Sequence, residues 1–147
     1  MSKGLSAPVG SVLCGTREFI KKAHRIRKLA GGAMRQAGVL AAAGIVALEK
    51  MVARLADDHA RARALAQGLR KNPNLRLADD APATNMIYVT LADQITESAW
   101  DVAEKLKSRG ILVGKVDERR FRLVTHCWID DQAVEKTIAG FNEVLAV

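Results

Sequence analysis

Residues 27–44 read Arg27-Lys28-Leu29-Ala30-Gly31-Gly32-Ala33-Met34-Arg35-Gln36-Ala37-Gly38-Val39-Leu40-Ala41-Ala42-Ala43-Gly44, and the architecture follows from how this stretch is punctuated. Its left end closes a basic amphipathic segment. From Arg17 onward Phe19, Ile20, Ala23, Ile26 and Ala30 collect on one helical face, and basic side chains fill the other. Gly31-Gly32 stops that helix, because glycine takes up the left-handed C-terminal conformation at little steric cost. Its right end opens a segment from Gly38 to Leu48 that is apolar or small all round, which demands burial on several sides. Helical spacing continues through Met51, Leu55, Ala62, Leu65 and Leu69, with no proline before Pro73. A continuous helix over this span would be roughly 55 Å long at 1.5 Å per residue, too long to serve one small domain. The spacing therefore predicts one long connecting helix, or two with a bend, shared between two bodies.

Toward the C-terminus, Asn72-Pro73-Asn74 reads as a turn, and the period then changes to a compact α/β pattern. Met86 to Leu91 is expected as a strand and Thr96 to Arg109 as a helix, with Ala99, Val102, Ala103 and Leu106 inward and Gly110 just past its end. Ile111 to Val116 and Phe121 to Thr125 read as strands around the charged turn 117–120. A last helix starts at Asp131, with Asp130 as its N-cap and Ile129 and Val134 as a hydrophobic staple. Toward the N-terminus, Val9 to Gly15 reads as a buried strand with Cys14 in the core, and Thr16 offers an N-cap to the helix 17–29. The expected fold class is α/β: residues 1–32 as the end of a larger domain, 33–72 as a long connecting helix, and 73–147 as a small α+β domain with helices on one face of an open sheet. The N-terminal strand and the two helices after it do not close a core among themselves, so the sequence reads as the C-terminal portion of something longer.

Composition narrows the class. With 147 residues, 49% apolar and 27% charged, the chain is neither disordered, collagenous nor a coiled coil, and a chain of this length that folds alone buries about 70% of its unfolded surface. No run of about 18 apolar residues and no apolar leader stretch is present, which points to a cytoplasmic protein with no membrane partner. Cys14 and Cys127 are too few for a zinc site or a disulfide framework, so both are read as reduced and structural and no metal is expected. The net charge of +7 is concentrated: Arg17, Lys21, Lys22, Arg25, Arg27, Lys28 and Arg35 face only Glu18, Lys3 adds one more, and the rest balances. A local excess of this kind asks for nucleic acid, a membrane surface, a bound phosphate or an acidic protein surface. With 4% aromatic residues there is no stacking platform for nucleic acid. A non-catalytic basic interaction domain remains the alternative class.

Two residues invite chemistry. Lys3 sits between Ser2 and Gly4, small neighbours that would admit a planar group to an amine, although a lysine so placed is by default solvated. Arg122 interrupts the apolar run Phe121-Arg122-Leu123-Val124. It reads either as a solvent-facing strand arginine or as a fork for a carboxylate. His126 reads as a hydrogen-bonded structural residue, and His24 and His59 as solvated or capping ones.

The blocks Ser2-Lys3-Gly4-Leu5-Ser6-Ala7-Pro8-Val9-Gly10-Ser11-Val12, residues 27–44, Asp57-Asp58-His59-Ala60-Arg61-Ala62, Thr84-Asn85-Met86 and Arg122-Leu123-Val124-Thr125-His126, in this order, resemble the low-specificity L-threonine aldolases. The central Gly-Gly-x-Met-Arg-Gln-Ala-Gly block is the most specific; Ala33 departs from the family, which usually has a third glycine there. The resemblance implies a fold-type I enzyme of the aspartate-aminotransferase kind, dependent on pyridoxal 5′-phosphate (PLP), that cleaves β-hydroxy-α-amino acids such as L-threonine to glycine and an aldehyde. It implies that Lys3 is the lysine joined covalently to PLP, that Lys28 and Arg35 lie near the cofactor phosphate across a subunit contact, and that Arg122 grips the substrate carboxylate. It further implies self-association, a small amino-acid substrate, and no nucleic-acid or membrane partner. A related PLP lyase acting on bulkier substrates or by β-elimination is the second enzymatic alternative. In that family the phosphate-binding turn, the aspartate paired with the pyridine nitrogen and the stacking histidine precede the lysine, so this chain by itself is expected to be inactive.

Overall fold

The computed structural model describes residues 1–78 and 82–146, and the chain divides into two compact units, Met1–Arg54 and Leu55–Val147. The second unit holds the larger core. Its helix α3, Leu55–Arg70, precedes a four-stranded sheet made of β1 (Leu75–Leu77), β2 (Met86–Leu91), β3 (Gly114–Lys115) and β4 (Arg120–Val124) in the order β1-β2-β4-β3. Every pairing is antiparallel. Helices α4 (Ala99–Lys107) and α5 (Asp131–Val144) complete the unit. The alternation of β4, with Phe121 and Leu123 buried and Arg120, Arg122 and Val124 exposed, gives the sheet one covered face and one open face. On the covered face Ala62, Leu65, Val89, Val102 and Leu106 pack with Phe121 and Phe141, whose rings meet edge to face at 5.4 Å.

The helix boundaries follow from their caps. Helix α4 starts at Ala99 and not at Thr96 because Ser98 and Asp101 form a capping box: the Ser98 hydroxyl accepts from the Asp101 N–H, and the Ser98 N–H donates back to the Asp101 carboxylate. The Ser98 hydroxyl also sits 2.6 Å from the Asp101 carboxylate, and its hydrogen bond there, with the one from the Ser98 N–H, holds the Asp101 carboxyl below its ordinary range. Gly110 follows in the left-handed region, φ 71°. Asp130 caps α5 by accepting from the Ala133 N–H at 2.8 Å. The expected strand over 111–116 shrinks to Gly114–Lys115, where β3 comes so close to β4 that a Cβ on Gly114 would lie 2.8 Å from the Arg122 carbonyl oxygen.

In the first unit, α1 spans Arg17–Leu29 as the spacing predicts, with Thr16 accepting from the Phe19 N–H and Gly31 past its end at φ 79°. Of the two forms expected for the span 33–72, one continuous helix or two, the structure has two. Helix α2, Gly38–Val46, runs into a π-helical stretch, Ala47–Met51, and α3 then begins at Leu55. Helix α3 buries Ala62, Leu65 and Leu69 in the core of the second unit, so it is a layer of that unit and not the far half of a connector. The expected strand Val9–Gly15 is also corrected. No described residue pairs with it, its side chains are exposed, and Cys14 is exposed instead of buried. A strand without a neighbour has no partners for its backbone groups. Ala7 and Ala47 are the buried apolar residues of this unit, and no residue of α1 is buried. No helix among the described residues is long and apolar enough to cross a membrane.

Two outcomes are expected. Phe141→Ala removes a fully buried ring and should lower the unfolding free energy of the second unit by about 3–5 kcal/mol in urea titration; a loss below about 1 kcal/mol would mean that the Phe121–Phe141 contact does not hold the sheet to α5. The 147-residue chain should self-associate in sedimentation velocity, because Val39, Ile45, Val46 and Leu48 are each half exposed or more. A monodisperse monomer over a broad concentration range would contradict this.

Candidate functional site

In the second unit, β4 places Arg122 on the open face of the sheet, opposite Tyr88 of β2 and Gly114 of β3. The apparent interruption of an apolar run is thus regular alternation: Arg120, Arg122 and Val124 point out while Phe121 and Leu123 point in. The surrounding arginines are committed. Arg61 pairs with Asp131, Arg76 with Asp93, Arg109 with Glu143 and Arg120 with Asp117. Arg119 donates to the carbonyls of Leu91, Ala92, Ile95 and Glu97. Arg122 makes no hydrogen bond or ion pair with any described residue, and its five donors are available to a ligand. It lines an open groove of about 280 Å³ together with Gly114, Val124, Thr125 and His126.

The end of β4 is pinned beneath that groove. Thr125 is 1% exposed; its hydroxyl donates to the Asp58 carbonyl at 2.7 Å and its N–H to the Asn85 carbonyl at 3.0 Å. The Asn85 side-chain amide donates in return to the Thr125 carbonyl at 2.7 Å. Just beyond, the Trp128 N–H donates to Nδ1 of His126 at 3.3 Å, so the imidazole is held as an acceptor on that side and its Nε2 is the nitrogen left to carry a proton.

In the first unit, Lys3 is exposed in a turn closed by the Ser6 N–H donating to the Lys3 carbonyl at 2.8 Å, with Ser6 in the left-handed region at φ 57°. Its ammonium has no partner among the described residues. Lys28 lies in the last turn of α1 and Arg35 follows the Gly31-Gly32 stop; both are exposed. An apolar groove of about 420 Å³ runs between residues 9–12 and α2, lined by Val9, Val12, Leu40 and Ile45 among others. Lys3, Lys28 and Arg35 do not line it. The expected residues thus fall into two groups, Lys3, Lys28 and Arg35 in one unit and Arg122 in the other. Among the described residues no cluster of His, Cys, Asp and Glu is arranged to hold a metal ion.

Sequence reading gave Asn85, Thr125 and Asp58 no role beyond membership of their blocks. For Asp58 a signal was present, since it falls on the inward spacing with Ala62, Leu65 and Leu69, and it is fully buried. Asn85 and Thr125 carry no such signal, because their partners are 40 residues apart in the chain.

An Arabidopsis thaliana protein assigned as a low-specificity L-threonine aldolase is 44% identical over 98% of this chain, and the Escherichia coli low-specificity L-threonine aldolase is 41% identical over 99%. The chain spans about 41% of the length of each. A Listeria monocytogenes structure assigned as an L-allo-threonine aldolase superposes over 98% of this chain and 43% of its own, with a TM-score of 0.76 at 18% identity, which shows the fold-type I class. The sequence model of one family matches residues 1–93, from the Lys3 turn through β2. On that match the chain belongs to the beta-eliminating lyase family.

Proposed function

We propose that this chain carries the covalent cofactor lysine and a substrate-carboxylate site of a PLP-dependent lyase that cleaves L-threonine and related β-hydroxy-α-amino acids to glycine and an aldehyde. The observation that carries the reading is the 41–44% identity to threonine aldolases over nearly the whole chain. The proposal concerns an enzyme that includes the parts those relatives have and this chain does not span. Self-association belongs to the same proposal, as does a cytoplasmic setting.

The residues present fit the cofactor. PLP needs a primary amine for its aldehyde and cations for its phosphate; Lys3 is an accessible amine without a described partner among Ser2, Gly4 and Ser6, and Lys28 and Arg35 are exposed cations. When bound, PLP supplies an electron sink for the bond-breaking step. The chain's own contribution is placement. Lys3, at the start of the turn 3–6, would hold the cofactor through its amine. Arg122 offers a planar fork that matches a carboxylate with two parallel charge-assisted hydrogen bonds, and a carboxylate held in one orientation fixes which bond at the α-carbon is exposed to cleavage. His126, at the end of the same groove, is held by the Trp128 N–H and frames the space beside Arg122.

The test uses a graft in which these 147 residues replace the matching portion of the E. coli relative. Lys3→Ala and Lys3→Arg should both abolish turnover, because a guanidinium keeps the charge but cannot condense with an aldehyde. Borohydride reduction and peptide mapping should find the pyridoxyl group on Lys3; its recovery on another lysine would overturn the assignment. Arg122→Ala should lower kcat/KM for L-threonine by about 30-fold to several-thousand-fold, with cofactor binding retained and Arg122→Lys affected less. A variant that keeps kcat/KM, or loses the cofactor instead, would show that Arg122 is a strand residue and that the carboxylate is held elsewhere. An active graft that prefers a substrate with a leaving group on the β-carbon would replace aldol cleavage by β-elimination.

A further inference from the structure

Asn85 is half-buried at the entry to β2 and does not line the Arg122 groove, yet its side chain is bonded to the residue that does. The ladder between β2 and β4 runs through Tyr88↔Arg122 and Ile87↔Leu123 to Met86↔Val124. One residue further, Asn85 and Thr125 extend it with two bonds in opposite directions: Thr125 N–H to the Asn85 carbonyl, and the Asn85 amide to the Thr125 carbonyl. A third bond, from the Thr125 hydroxyl to the Asp58 carbonyl, ties the same point to α3. Strand ends fray unless something holds them. Here the held residue is flanked by the groove on both sides, Arg122 and Val124 before it and His126 after it. The strict alternation means that a slip by one residue would turn Arg122 toward the core and Leu123 toward solvent.

We propose that Asn85 is a positioning residue for the carboxylate-binding side of the site: acting through Thr125, it fixes the register and the seating of the end of β4, and so the groove between Arg122 and His126. This rests on the reading of Arg122 given above. The chemistry of the latch sets its specificity. Asn85→Asp keeps the shape but replaces the donor facing the Thr125 carbonyl by an acceptor. Thr125→Val keeps the volume but removes the donor to the Asp58 carbonyl, whereas Thr125→Ser keeps the hydroxyl.

The experiment has two independent readouts. In the 147-residue chain, hydrogen exchange followed by mass spectrometry should be accelerated about tenfold or more by Asn85→Ala, Asn85→Asp and Thr125→Val in the peptide covering residues 122–128, with the α4 peptide little changed and Thr125→Ser close to the parent. In the graft, Asn85→Asp should raise KM for L-threonine about tenfold with kcat changed less than about threefold, and Thr125→Ser should restore the parent KM. Equal acceleration in both peptides would show a general stabilising residue and overturn the proposal, as would an unchanged KM. If Asn85→Ala does not fold, the near-isosteric Asn85→Asp and Thr125→Val decide. If the parent graft is inactive, the functional reading of the chain fails while the exchange measurement still decides whether the latch seats the strand end.

Discussion

A threonine hydroxyl inside an apolar core has to find an acceptor, and in this protein that requirement organises the second unit. Thr125 is 1% exposed, and leaving its hydroxyl without a partner would cost about 1–3 kcal/mol. It is satisfied by the Asp58 carbonyl at 2.7 Å, and the backbone of Thr125 is satisfied by Asn85. Helix α3, strand β2 and strand β4 therefore meet at one residue. Because that point is fixed, Phe121 and Leu123 of β4 stay on the covered face with Phe141 and Leu106, and Arg120, Arg122 and Val124 stay on the open face.

The first unit obeys the opposite balance. Helix α1 buries none of its residues, and what supports it locally is a Thr16 cap and an exposed Glu18–Lys22 pair. A cap contributes about 1 kcal/mol and an exposed pair a fraction of that, while an isolated 13-residue helix is marginal in water. Its sequence nevertheless has a clean division between apolar and basic faces. Helix α2 is similar in a different idiom: apolar all round, with Val39 70% exposed. Composition that a helix needs only when it is covered is present in both, which agrees with a chain that spans about two fifths of its relatives.

What the sequence made legible divides along the same line. Elements that bury one face within the unit were readable from their period: β2, β4, α4 and α5 fall within a few residues of their expected bounds, and the deviations come from caps, as Ser98 shows. Elements whose neighbours are not among the described residues were misread. Val9–Gly15 has the composition of a buried strand but no partner, and the span read as a connector is broken where a π-helical stretch at Ala47–Met51 meets the start of α3. The proposed site residues, Lys3 and Arg122, come from residue type and resemblance, and not from geometry. Nothing local in the sequence announces that Asn85 and Thr125, 40 residues apart, share two hydrogen bonds.

The carboxylate contact proposed for Arg122 is legible in the sequence and yet incomplete in the second unit. On an open sheet face, a guanidinium and a carboxylate at about 4 Å attract by only about 1 kcal/mol in water, and by about 4 kcal/mol where the effective dielectric falls to 20. The strand that carries the fork is pinned at Thr125, and no carboxylate of the described residues pairs with Arg122. Water is not yet excluded, since the groove is open and Arg122 is exposed. The second unit therefore supplies orientation, which is the part a rigid antiparallel sheet can provide alone, and most of the strength of the carboxylate contact depends on a surface that covers the groove. On the proposed role of Arg122, selectivity for a carboxylate follows from the pinned strand, and affinity from a surface that closes over it.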